Sequence, residues 1–119
     1  DRISLQGVPI VFFGKLPSVL ALVFHELATN AAKYGALSSH SGRLEISWRS
    51  SGDRIAVDWV ESGGPAVAAP SRRSFGSKLI EGSLGPFGGS AKIEFAPTGV
   101  ICRLLLPKPK AADAATRAA

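Results

Sequence analysis

Within the run HELATNAAKYG at residues 25–35, Glu26, Asn30 and Lys33 recur at intervals of four and then three. On a helix this spacing sets side chains along one face, here a carboxylate, an amide and an amine in a row. Hard oxygens of that kind suit Mg²⁺, and a lysine ammonium suits a phosphate. A solvated face with a Glu/Lys pattern accounts for the same three residues. Asn30 is the member that needs a reason. Asparagine is a poor residue for a helix interior because its amide competes for backbone hydrogen bonds. The alanines on either side make helix stability an insufficient explanation.

A second anomaly lies in RIAVDWVE at 54–61. Ile55, Val57 and Trp59 share a parity and therefore one face of a strand. Continuing that parity reaches Glu61, which aims a carboxylate toward the apolar side. An unpaired charge there is costly, so Glu61 needs a donor. Two readings fit: the strand end has already reached solvent, or the carboxylate reads an amino group on a ligand at the sheet edge. The flanking loops add a third feature. ESGGP follows the strand directly, and RRSFGSKLI leads into a helix. Glycines allow close backbone approach to a ligand, helix N-termini favour anions, and Arg72, Arg73 and Lys78 add positive charge. Ordinary turn chemistry explains either loop taken alone. Together the three features ask for an anionic ligand with an exocyclic amine and Mg²⁺ nearby, a description that ATP answers. Neither a P-loop nor a dinucleotide-binding glycine fingerprint is present.

The elements that must position these residues follow from periodicity. Residues 3–6 and 9–13 read as two short strands separated by Gly7. A helix is predicted from about Pro17, favourable in a first turn, to Tyr34, with Gly35 as its stop. At about 100° per residue, Leu20, Phe24, Leu27, Ala28, Ala31 and Gly35 form its core-facing stripe. RLEISWRS and RIAVDWVE make a hairpin around SGD. SGGPAVAAPSRRSFGS reads as loop, SKLIEGSLG as a short helix, and SAKIEFA with VICRLLLP as a final hairpin turning at Gly99. The predicted class is α+β: a two-layer sandwich with helices on one face of a mixed or antiparallel sheet. Residues 1–107 form the domain, and 108–119 a flexible tail.

Composition narrows the function classes. A chain of 119 residues, 45% hydrophobic, fits one domain with an ordinary core. No apolar run is long enough to span a bilayer. The single cysteine, Cys102, sits in an apolar run and reads as a buried structural thiol. The net charge of +5 comes from scattered basic residues with few aromatics and no nucleic-acid motif, so nucleic acid is not an expected partner. A cytoplasmic location is expected, without membrane contact by this domain. With no methionine anywhere, the chain reads as a piece of a longer protein.

HELATNAAKYGALS, WVESGGP and RRSFGSKLIE, in that order, resemble the ATP-binding domain of the HWE sensor histidine kinases, members of the GHKL superfamily with the Bergerat fold. His25, Trp59 and Glu61 carry the signature, and the resemblance extends to about Pro107. It implies Asn30 as the Mg²⁺-coordinating asparagine, Lys33 as a phosphate contact and Tyr34 as the aromatic near the nucleoside. Glu61 stands where the superfamily usually has its adenine-reading aspartate, followed by Gly63 and Gly64. Phe75, Gly76 and Ser77 match the second glycine motif, with Arg72, Arg73 and Lys78 beside the phosphates. Glu26, four residues before Asn30, and His25 are the catalytic candidates. About ten residues separate the glycine motifs, so the ATP lid is short.

The implied function is binding of Mg²⁺–ATP and transfer of its γ-phosphate to a histidine on dimerisation helices absent from this chain. A response regulator receiver domain would act downstream. The full-length protein is expected to be a homodimer and this chain a monomer. Two alternatives stay open: a free-standing serine kinase of the anti-sigma type, and a non-catalytic nucleotide-binding docking module.

Overall fold

Apolar–polar alternation along residues 43–62 produces two long antiparallel strands, and the rest of the sheet assembles on them. The computed structural model describes residues 2–65 and 75–109. Its strands are β1 (Ile3–Gln6), β2 (Arg43–Ser51), β3 (Arg54–Ser62), β4 (Ser90–Ala96) and β5 (Gly99–Pro107). They form one sheet in the order β1-β2-β3-β5-β4. β1 runs parallel to β2 and every other pairing is antiparallel, so the sheet is mixed. Gly52 turns the β2–β3 hairpin at φ +64°, a conformation that favours glycine.

Two helices, α1 (Leu16–Lys33) and α2 (Phe75–Gly82), accompany the sheet. α1 has Pro17 in its first turn, and it ends where the Tyr34 and Gly35 N–H groups both bond Asn30 O. Leu16, Leu20, Val23, Leu27 and Ala31 are its buried residues, and they join Ile55, Val57, Trp59, Ile80, Leu104 and Leu106 in the core. The other sheet face is polar: Arg49 and Arg103 reach Asp58 at 2.9 and 3.7 Å. Exposed pairs of this kind contribute about 0–1 kcal/mol, so the core side carries the stability.

Two local expectations need correction. Residues 9–13 do not form a strand, although their alternation is real: Ile10 and Phe12 pack on the core while Val11 is exposed. Pro9 has no N–H to offer a ladder, and Val8 O accepts from the Trp48 indole instead, at 2.6 Å. On α1, Ala28 is exposed while Val23 is completely buried. Ala28 lies about 80° from Leu20 around the helix, at the edge of the stripe, whereas Val23 lies about 60° away on the side of Leu16. Of the flexible tail expected at 108–119, residues 110–119 lie outside the described residues. No described helix is long and apolar enough to cross a membrane.

Candidate functional site

The site assembles at the C-terminal end of α1, against the end of β3. Glu26 and Asn30 are half-buried on the flank of the core stripe, about 40° apart around the helix. Lys33 and Tyr34 project into solvent at the helix end. His25 is also exposed but lies about 140° from Asn30, on a different face. The structure thus groups Glu26, Asn30 and Lys33 and leaves His25 apart from them.

Glu61 is the only buried charged residue among those described, at 3% exposure. Strand parity carried it inward, as its alternation with Ile55, Val57 and Trp59 requires. Its donors come from two elements. Trp59 Nε1–H, two residues earlier on the same strand, donates to Oε2 at 2.9 Å. Ala36 N–H, in the short 3-10 turn that follows α1, donates to Oε1 at 3.0 Å. A carboxylate has about four acceptor sites, so each oxygen can still accept another hydrogen bond.

This contact joins the end of α1 to the glycine loop after β3. Gly35 makes it sterically feasible, because a Cβ there would lie 2.3 Å from Glu61 Oε1. Gly64 backs onto the same turn; its Cβ would lie 2.5 Å from Ala36 Cα. Gly63 adopts φ +71°, and its carbonyl accepts from Ser41 Oγ at 2.7 Å. Arg2 fastens the 36–42 loop from the opposite side, donating to Gly42 O at 3.1 Å and to the carbonyls of Ala36 and Ser39. Phe24 of α1 stacks on the Trp59 ring at 6.1 Å between centroids, which fixes the helix over the strand.

Phe75, Gly76 and Ser77 open α2, and Lys78 is exposed on its first turn. Arg72 and Arg73 lie outside the described residues. Sequence reasoning missed Arg2, Gly35 as a contact residue, and Ala36. Glycines bracketing GALSSHSG were the available signal for a tightly packed turn.

Oxygen donors from Glu26 and Asn30 fit a divalent cation of the Mg²⁺ type, which takes one or two side chains and completes its shell with phosphate and water. Among the described residues no group of three or more His, Cys, Asp or Glu side chains could hold a metal. Elsewhere, a cavity of about 330 Å³ is lined by apolar side chains including Leu20, Trp48 and Leu106. It contains none of the candidate residues and offers nothing for an anionic ligand. Cys102 is completely buried, and burial, aided by the nearby Glu81 carboxylate, pushes its thiol up from 9.0 to about 12. It is no nucleophile at neutral pH.

No protein-family model matches the chain. It is 40% identical over 111 residues to a blue-light-activated histidine kinase of Brucella anthropi, covering 89% of this chain and 23% of that protein. It is 37% identical over 110 residues to blue-light-activated histidine kinase 1 of Erythrobacter litoralis, covering 90% and 31%. The chain therefore spans less than a third of the length of these curated relatives. Among solved structures, the histidine kinase domain of the Erythrobacter litoralis EL346 blue-light-activated kinase superimposes with a TM-score of 0.73 at 18% identity, covering 89% of this chain and 54% of that one. The catalytic domain of histidine kinase ThkA gives 0.67 at 16% identity, covering 92% and 81%. Both likenesses establish the fold.

Proposed function

The chain belongs to the HWE histidine kinases as their catalytic domain, and from that premise we propose that it binds Mg²⁺–ATP and presents the γ-phosphate to a histidine elsewhere in the full-length protein. Histidine kinase catalytic domains use ATP. The observation that carries the reading here is the buried Glu61 carboxylate, oriented by two donors beside the helix end that carries Asn30.

Each residue has a task within this reading. Glu61 accepts a hydrogen bond from the adenine amino group through a lone pair its internal donors leave free. Asn30, with Glu26 beside it, holds Mg²⁺ through side-chain oxygen. The bound ion would neutralise phosphate charge, the main demand of phosphoryl transfer. Lys33 and Lys78, both solvent-facing, supply ammonium groups to the phosphates, joined by Arg72 and Arg73, which precede Lys78 in the sequence. Tyr34, 75% exposed, offers its ring to the nucleoside. The backbone of Gly63, Gly64, Phe75, Gly76 and Ser77 lets the nucleotide approach closely. Glu26 is the carboxylate available to orient the accepting imidazole. His25, on a separate face, is assigned to the nucleotide motif and not to phosphate acceptance. The partners proposed are dimerisation helices of the same protein and a downstream receiver domain.

Asn30→Ala tests the reading directly. The helix should persist, because alanine improves its propensity by about 0.5 kcal/mol. Calorimetry should show Mg²⁺-dependent ATP binding lost. Unchanged affinity with unchanged Mg²⁺ dependence would refute the role of Asn30.

A further inference from the structure

We propose that Trp59 is a positioning residue for nucleobase selection: its indole N–H, together with Ala36 N–H, locks the Glu61 carboxylate in the orientation that reads an adenine amino group. This inference rests on the ATP-binding reading above.

Glutamate reaches its carboxylate through one more rotatable bond than aspartate, and its terminal torsion is broad and roughly two-fold. A lone glutamate at the end of a strand would therefore present its oxygens in many directions. Here each oxygen is held by a different element. Trp59 donates to Oε2 at 2.9 Å, and Ala36 N–H donates to Oε1 at 3.0 Å. Two donors on two oxygens determine the carboxylate plane, and the lone pairs left free then point in set directions.

The donors are themselves immobilised. Trp59 is 2% exposed and stacked on Phe24, so its N–H has one direction available. Ala36 is buried, and Arg2 anchors its loop through three carbonyls. Strand geometry puts Trp59, two residues before Glu61, on the same face as its immediate neighbour along the strand. Any large apolar residue could fill the core at 59; only tryptophan fills it and donates a hydrogen bond from the ring.

Trp59→Phe separates these two duties, since it keeps an aromatic ring against Phe24 and deletes the donor. Binding of ATP, GTP and inorganic triphosphate is measured for the wild type, Trp59→Phe and Glu61→Ala. The ATP:GTP affinity ratio should fall about tenfold in Trp59→Phe, the scale of one lost hydrogen bond to a buried charge. Triphosphate affinity should stay unchanged. A wild-type ratio in Trp59→Phe, with the preference abolished in Glu61→Ala, overturns the positioning role and leaves the ATP reading standing. A preference retained in Glu61→Ala overturns Glu61 as the adenine reader, and the inference falls with it.

A measurement on the unaltered chain covers the case in which Trp59→Phe fails to fold. The protein has two tryptophans, so nitrogen-labelled samples show two indole N–H signals. The Trp48 indole bonds Val8 O and serves as the internal reference. ATP should shift the Trp59 signal and inorganic triphosphate should not. Equal shifts with both ligands would refute the coupling between Trp59 and the base.

Discussion

Replacing Gly35 with alanine should dislodge Glu61, and the geometry gives the size of the effect. The added Cβ would lie 2.3 Å from Glu61 Oε1 and 3.1 Å from Ala31 Cα. Non-bonded heavy atoms settle at about 3.5 Å, so the carboxylate has to retreat by about 1 Å. Its bond from Ala36 N–H, now 3.0 Å, then exceeds the useful limit of about 3.2 Å. Losing a hydrogen bond to a charged group costs about 1.5–3 kcal/mol. Alanine offsets about 0.4–1 kcal/mol of this by restricting the unfolded chain, since Gly35 sits at φ −107°, which alanine tolerates. The net loss is about 1–2 kcal/mol. For a chain of this length that lowers Tm by roughly 4–10 °C. Thermal melts followed by circular dichroism, with ATP and GTP titrations on the same protein, measure both consequences. Gly82→Ala is the control, because a Cβ there meets nothing within 4 Å. A Gly35→Ala chain that melts at or above the wild-type temperature, with its ATP:GTP ratio intact, would refute the steric argument.

Three further outcomes are expected. Cys102 should resist thiol reagents in the folded protein at pH 8 and react stoichiometrically once denatured; rapid native labelling would contradict its burial. Because folding raises its pKa from 9.0 to about 12, the folded state holds a proton that the unfolded state releases. Stability should therefore fall as pH rises through that window, and Cys102→Ala should flatten the alkaline decline in denaturant midpoints. The isolated chain should bind ATP yet gain no acid-labile phosphate, since the family pattern places neither of its histidines, His25 and His40, as the phosphoacceptor. Radiolabelled ATP with acid and alkali treatment tests this, and stoichiometric acid-labile label on the chain would overturn it. Acid-stable label on a partner's serine would favour an anti-sigma kinase instead.

Much of this protein is legible in periodicity, which is a local property. The β2–β3 and β4–β5 hairpins, the extent of α1 and the inward parity of Glu61 all follow from residues within a few positions of one another. The demand that Glu61 find a donor was equally visible, because burying a charge unpaired is costly wherever it occurs. What periodicity could not supply was the partner. Residues 9–13 alternate like a strand, yet a strand exists only where another backbone accepts its ladder, and Pro9 together with the Trp48–Val8 contact directs this segment elsewhere. Ala28 and Val23 are both apolar, and only the placement of α1 on the sheet decides which is buried. The donors to Glu61 mark the same division. Trp59 lies two residues away and shares the strand's face, so its proximity is written in the sequence. Ala36 lies 25 residues away and meets the carboxylate only because α1 ends beside β3, Gly35 carries no side chain, and Arg2 holds the intervening loop. Sequence alone determined the parity that aims the Glu61 carboxylate toward the apolar side of β3, and the fold decided that this strand end is buried rather than solvated. Tertiary packing decided which backbone N–H would meet the carboxylate, because a contact across 25 residues depends on how whole elements dock.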